Sequence, residues 1–302
     1  MTITTSQARP RATARRDASK DVTRLLPRPL LVAATVFLLG IVLIPMAYIV
    51  LASMNTDAGV ASGEIWPSSF SLESYVKIWT TVDLASALLN STIVAVSVAI
   101  ASAFLGVGTA YVLVRYAFTG RFVVLRSLFA FQSIPGTLMV LPVFVVFSSV
   151  GMYLGVMVVG TLWGLFIAYL SFALPFSTWI MVTYLRGLPV ELEEAARIDG
   201  ASHLQVLVRI VIPLSWPAIV VAGIFAFLHS WNDVIFASVL TSPETRTVAI
   251  ALQNFAASQE GGPLPLLSQL MAVSLISAAP VVILYLVFQR YLVGGLTAGA
   301  VK

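Results

Sequence analysis

The sequence predicts an all-α, polytopic membrane protein that crosses the bilayer six times and keeps both termini on one side. Three observations carry this. The chain is 59% hydrophobic. It is only 10% charged, where soluble chains hold about 25%. Its charges are also confined to the intervals outside five long charge-free stretches at 29–56, 84–114, 127–185, 210–232 and 261–289.

A helix needs roughly 20 residues to cross the hydrocarbon core. Residues 1–28 form a basic tail, and 29–52 a first span whose length exceeds the apolar core of a signal peptide, about 7–15 residues. Residues 53–86 form an outer segment. A transmembrane core follows at 87–289, with spans expected at 87–114, 123–148, 156–184, 214–238 and 266–289. The stretch 127–185 is too long for one helix at about 1.5 Å per residue. Its Gly-Met-Tyr-Leu-Gly run at 151–155 is read as the turn between two spans. Residues 290–302, with Gly294, Gly295 and Gly299, are expected to be an irregular tail.

Lysine and arginine accumulate on the cytoplasmic side. Of 17 such residues, only Lys77 and Arg246 fall on the side opposite the tails. Both termini are therefore expected in the cytoplasm. The excess of positive charge and the isoelectric point near 9.5 follow from this topology, so the basic tail is not read as a nucleic-acid site.

Several chemistries are excluded outright. Without cysteine there is no disulfide, thiolate nucleophile or Cys-ligated zinc. Two histidines, His203 and His229, cannot build an H-E-x-x-H site, and no metal site is expected. None of the three lysines sits in a phosphate-binding G-x-x-x-x-G-K pattern, and no G-x-S-x-G or pair of carboxylates within a span occurs. No catalytic residue is expected. Uphill transport would need energy from a partner or an ion gradient.

One inner segment, 186–213, is dense in chemistry. Pro189 suits a helix start, and Glu191, Glu193 and Glu194 suit the positive end of that helix. Leu192, Ala195 and Ala196 share a face, and Glu193 is spaced to pair with Arg197. Asp199-Gly200 breaks the run. Ser202 and Gln205 form a capping-box pattern for a second helix that Pro213 ends or kinks. This helix–corner–helix is either a plain connector or a docking element whose carboxylates meet a basic partner.

Glu194-Ala-Ala-x-x-Asp-Gly-Ala201 followed by Ile210-x-Ile-Pro213 resembles the EAA motif of the membrane subunits of bacterial ABC importers. Trp231-Asn-Asp233 and the terminal Gln-Arg-Tyr-Leu-Val-Gly-Gly-Leu-Thr-Ala-Gly-Ala-Val-Lys are similar to the smaller permease of maltose-type carbohydrate importers, and the similarity runs from about residue 28 to the end. Leu207 stands where that family usually has Phe, and Ile212 where it has Leu; both keep an apolar contact.

The resemblance implies a type I ABC importer permease (MetI-like) fold in a bacterial inner membrane. It implies a second permease as heterodimeric partner, two cytoplasmic ATPases carrying the ATP and Mg, and an extracytoplasmic binding protein or lipoprotein that delivers a sugar. No cofactor is implied for this chain. In the EAA loop, Glu194 would anchor the ATPase, Gly200 form the corner and Asp199 support it, while Ala195, Ala196 and Ala201 allow close contact and Ile210 and Pro213 complete the motif. Gly295, Leu296, Thr297, Gly299 and Lys302 of the tail would enter the ATPase interface. Arg246, Gln253, Asn254 and Phe255 of the outer loop 241–265 would contact the binding protein.

His229, Asn232 and Asp233 are candidates for lining a path or for hydrogen bonding between helices. The maltose-type resemblance implies that the larger permease holds the sugar. The outer segment around Trp66 and Phe70 is read as an amphipathic helix at the membrane interface. Glycerol phosphate or a polyol is the alternative cargo. A stand-alone ion-coupled carrier is the rival of another class, but it would be expected to place ionisable residues in mid-span.

Overall fold

The computed structural model describes residues 27–259 and 266–298. Among the described residues there is no strand. The chain divides into two units, Met1–Leu51 and Ala52–Lys302. The described part of the first holds all but the last two residues of helix α1, Arg28–Ser53, which is uncharged after its first residue and interrupted in sequence only by Pro45.

The second unit opens with two short helices, α2 (Asp57–Ala61) and α3 (Glu73–Thr81). Thr56 caps α2 by accepting the Gly59 N–H. Trp66 and Phe70 stand exposed ahead of α3, outside any helix, so the amphipathic helix expected around them begins later, at Glu73. The core comprises α4 (Leu84–Arg115), α5 (Arg121–Gln132), α6 (Gly136–Leu154), α7 (Leu162–Leu185), α8 (Glu191–Ile198), α9 (His203–Leu214), α10 (Trp216–Asn232), α11 (Ile235–Leu240), α12 (Val248–Ser258) and α13 (Leu267–Ala298).

Helices α1, α4, α6, α7 and α13 are long and apolar enough to cross a membrane, and α9 with α10 makes a sixth candidate bent by 76°. Helices α4, α7 and α10 pack against one another as the centre of the bundle. Close approach of α4 and α7 depends on Gly106, where a Cβ would lie 3.1 Å from Ser177 Cβ and 3.2 Å from its carbonyl carbon. Gly108 faces open space, so only the first glycine of that pair serves packing.

Three spans depart from expectation. The third, expected as one helix over 123–148, is broken at 133–135 into α5 and α6, because Pro135 has no N–H and drives Ile134 out of helical geometry. Helix α6 then runs through Gly151 and ends at Gly155, φ +68°, so the turn before α7 lies at 155–161. The fifth, expected over 214–238, is cut at Asp233, whose Oδ2 accepts the N–H groups of Phe236 and Ala237 and so opens α11. The sixth does not stop near residue 290: α13 stays helical to Ala298, through Gly294 and Gly295. The outer loop 241–265 is not simply irregular either, since it holds α12.

The two ends of α4 hold opposite faces of the protein. Near its start Asn90 Nδ2 donates to the carbonyls of Glu244 (2.9 Å) and Arg246 (3.1 Å), and Ser91 Oγ accepts the Val248 N–H. Its last residue, Arg115, reaches the 186–213 segment. Ser268 and Gln269 at the start of α13 donate to the Asp57 carboxylate, tying α2 to that helix.

Candidate functional site

Segment 186–213 folds as a helix, a glycine corner and a helix. Carboxylates of Glu191, Glu193 and Glu194 occupy the first turn of α8, where they oppose the positive helix end. Gly200 lies at φ +88°, the left-handed geometry that ends such helices; its N–H donates to Arg197 O and the Ala201 N–H to Ala196 O. Ser202 and Gln205 form a complete capping box that starts α9. Helix α9 widens to π-helical geometry at Leu207–Val211, just before Pro213, and the chain bends at Ser215 into α10.

The polar residue that fixes this element is Glu193. Its side chain is 1% exposed, and its Oε1 accepts from Arg115 Nε at 2.7 Å. Arg115 also donates to the Leu188 carbonyl at 3.1 Å. The Glu193–Arg197 pair expected from spacing is replaced by this longer-range one, because α8 turns Glu193 toward the end of α4. Tyr116, just past α4, packs edge-on to His203 (5.8 Å) and to Tyr111 (6.0 Å), so the same end of α4 also meets α9.

With Glu193 inward, Leu192, Ala195 and Glu194 face outward, and Ala196 and Ala201 are half-buried. Ile198 is 87% exposed and Leu204 68%. Asp199, Gly200 and Pro213 are also exposed, whereas Ile210 is half-buried in the π-helical turn. The outcome is an anchored element that presents a carboxylate beside bare apolar side chains, a composition suited to a protein partner.

Asp233 is half-buried and takes the Tyr169 hydroxyl at 2.8 Å besides the two amides at the start of α11. It links α7, α10 and α11. Asn232 bonds back to Leu228 O in its own helix. His229 stands exposed beside Tyr169, with ring centroids 6.2 Å apart. In the outer segment, Arg246 is half-buried with Nη2 3.9 Å from Asp83, and the Glu244 carboxyl is held below its usual range, chiefly by the Ser242 hydroxyl donating to it. Gln253 and Asn254 are exposed on α12. Phe255 is buried in the core beside Trp231 and Val248, so it packs the bundle rather than offering a contact.

The tail positions Gly295, Leu296 and Thr297 lie in the helical backbone of α13, while Gly299 and Lys302 are outside the described residues, as is the Gly-Gly-Pro run at 261–263. Sequence reasoning missed Arg115 and Asn90, and it gave Glu193 the wrong partner. The signal available for Glu193 was its i, i+3 relation to Ala196, which puts both on one face.

Residues 102–297 match the family described as binding-protein-dependent transport system inner membrane component. The trehalose transport system permease protein of Mycobacterium tuberculosis is 30% identical over 264 residues, 87% of this chain and 93% of that protein. The trehalose/maltose transport system permease protein of Thermococcus litoralis is 32% identical over 281 residues, 92% and 98% respectively. The fold is that of a chain in the crystal structure of a bacterial ABC transporter involved in the import of the acidic polysaccharide alginate, with a TM-score of 0.72 and 23% identity, covering 92% of this chain and 99% of that one.

Proposed function

The chain belongs to the family of binding-protein-dependent transport system inner membrane components, and from that membership we propose that it is one of two permease subunits of an ATP-driven sugar importer. Its relatives named for trehalose and maltose support a disaccharide, oligosaccharide or glycoside as cargo. The second permease completes the path. Two cytoplasmic ATPases bind ATP and Mg, and an extracytoplasmic binding protein delivers the sugar. Both termini lie in the cytoplasm, on the side of the arginine-rich loops.

The observation that carries this reading is the outward-facing 186–213 element with its internal anchor. Glu194 is exposed one turn before the exposed Ile198 and can make a charge-assisted bond to a basic group of the ATPase, while Glu193 and Arg115 tie the element to α4. Closure of the ATPases then shifts the permease pair between inward- and outward-facing states through a coupling free energy. The test is co-purification: tagged chain expressed in its native membrane should retain an ATPase and a second permease in detergent. A chain that purifies alone and still carries sugar would contradict the proposal.

A further inference from the structure

Between the α5–α6 break, the middle of α7 and the outer half of α10 lies an open cleft of about 340 Å³. Two aromatic pairs line it, Phe131 with Phe172 (centroids 5.5 Å apart) and Phe176 with Phe225 (5.3 Å), together with Gln132 and His229. No lysine, arginine, aspartate or glutamate is among the lining residues. Gln132 and His229 are both exposed, although they belong to the bundle's apolar core segments. Polar side chains at such depth face water or a bundle interior rather than lipid. The cleft also adjoins the end of α5 and the start of α6, where Pro135 breaks the helix and irregular backbone at membrane depth is tolerated beside a cavity.

We propose that this cleft is where the chain touches the transported solute, and that it takes the ring of a neutral sugar. Aromatic walls with a few neutral hydrogen-bonding groups suit a ligand that has apolar C–H faces and hydroxyl edges. An anion such as glycerol phosphate would need cationic partners, which the cleft lacks. The Gln132 amide and the His229 ring supply donors and acceptors for hydroxyls. This rests on the importer reading but departs from the expectation, drawn from the maltose-type resemblance, that only the partner permease holds the sugar.

The test uses the full complex with its binding protein in proteoliposomes. Because the chain has no cysteine, Gln132→Cys and Phe225→Cys introduce a unique thiol in this subunit. A water-soluble maleimide should label both during turnover. Trehalose, maltose or cellobiose, whichever the unaltered complex takes up, should slow labelling, and glycerol 3-phosphate should not. Gln132→Ala and Phe225→Ala should each lower uptake of that sugar about tenfold, the loss of one good contact, while liganded binding protein still stimulates ATP hydrolysis. Labelling by a lipid-soluble maleimide alone, protection by glycerol 3-phosphate, or wild-type uptake by both alanine variants would overturn the proposal. An unaltered chain that retains no ATPase, or a complex whose ATP hydrolysis is indifferent to liganded binding protein, counts against the importer reading itself.

Discussion

Arg115 Nε donates to Glu193 Oε1 at 2.7 Å, joining the last residue of a 32-residue helix to an element 78 residues further on. Both side chains are shielded, at 12% and 1% exposure. With Asn90 bonded to the Glu244 and Arg246 carbonyls at the other end, α4 connects the 186–213 element to the outer segment as one rod, about 48 Å long at 1.5 Å per residue.

Removing one partner of that pair should be more harmful than exchanging both. Glu193→Ala leaves a shielded guanidinium unpaired, at a cost of about 3 kcal/mol, and should lower the melting temperature of the complex and its stimulated ATPase activity together. The exchange Arg115→Glu with Glu193→Arg should recover part of both. Arg115→Lys should recover less than half, since an ammonium cannot reproduce the planar fork that reaches Glu193 and the Leu188 carbonyl together. Equal behaviour of Glu193→Ala and the unaltered complex in thermal unfolding would remove the anchor from the account.

Gly200 tests the corner. Its φ of +88° costs a non-glycine residue about 1–2 kcal/mol. Gly200→Val should reorient α8 against α9 and weaken retention of the ATPase on a tagged chain, while membrane insertion is unchanged. Undiminished retention would show that the corner geometry is dispensable.

Gly106 and Gly108 should separate cleanly. A Cβ at Gly106 meets Ser177 at 3.1 Å, so Gly106→Val should cost about 1–3 kcal/mol by forcing α4 from α7. Gly108→Ala meets nothing within 4 Å and should leave thermal stability unchanged. Similar melting temperatures for the two would contradict the packing.

Asp233 holds α7, α10 and α11 together. Asp233→Ala strips partners from the Tyr169 hydroxyl and from the Phe236 and Ala237 amides, and should destabilise by about 2 kcal/mol. Tyr169→Phe removes only one of those bonds and should cost less. The comparison is read from thermal unfolding, and a larger loss for Tyr169→Phe would show that the amide bonds matter less than the tyrosine.

The helix–corner–helix and its capping box were legible because Gly200, Ser202 and Gln205 encode local backbone geometry. The breaks in the third and fifth spans were not. Apolarity reports depth in the membrane but not helix continuity: Pro135 barely changes it, and Asp233 ends a charge-free stretch without showing that its carboxylate caps a new helix. The Arg115–Glu193 pair was invisible for another reason. Helical spacing offered Glu193 a nearer partner in Arg197, and only the tertiary packing of α8 on α4 decides between them. Phe255 was misread in the same way, as an exposed contact on a loop, since nothing local shows that α12 turns it into the core.

The central claim is that this chain couples an ATPase to sugar entry through the 186–213 element. The most direct measurement is ATP hydrolysis by the reconstituted complex, with and without sugar-loaded binding protein, for the unaltered chain and for Glu194→Ala. The account predicts marked stimulation in the first, and in the second a stimulation reduced about tenfold with the subunits still inserted. Equal stimulation in both, or hydrolysis indifferent to the binding protein in the unaltered complex, would contradict it.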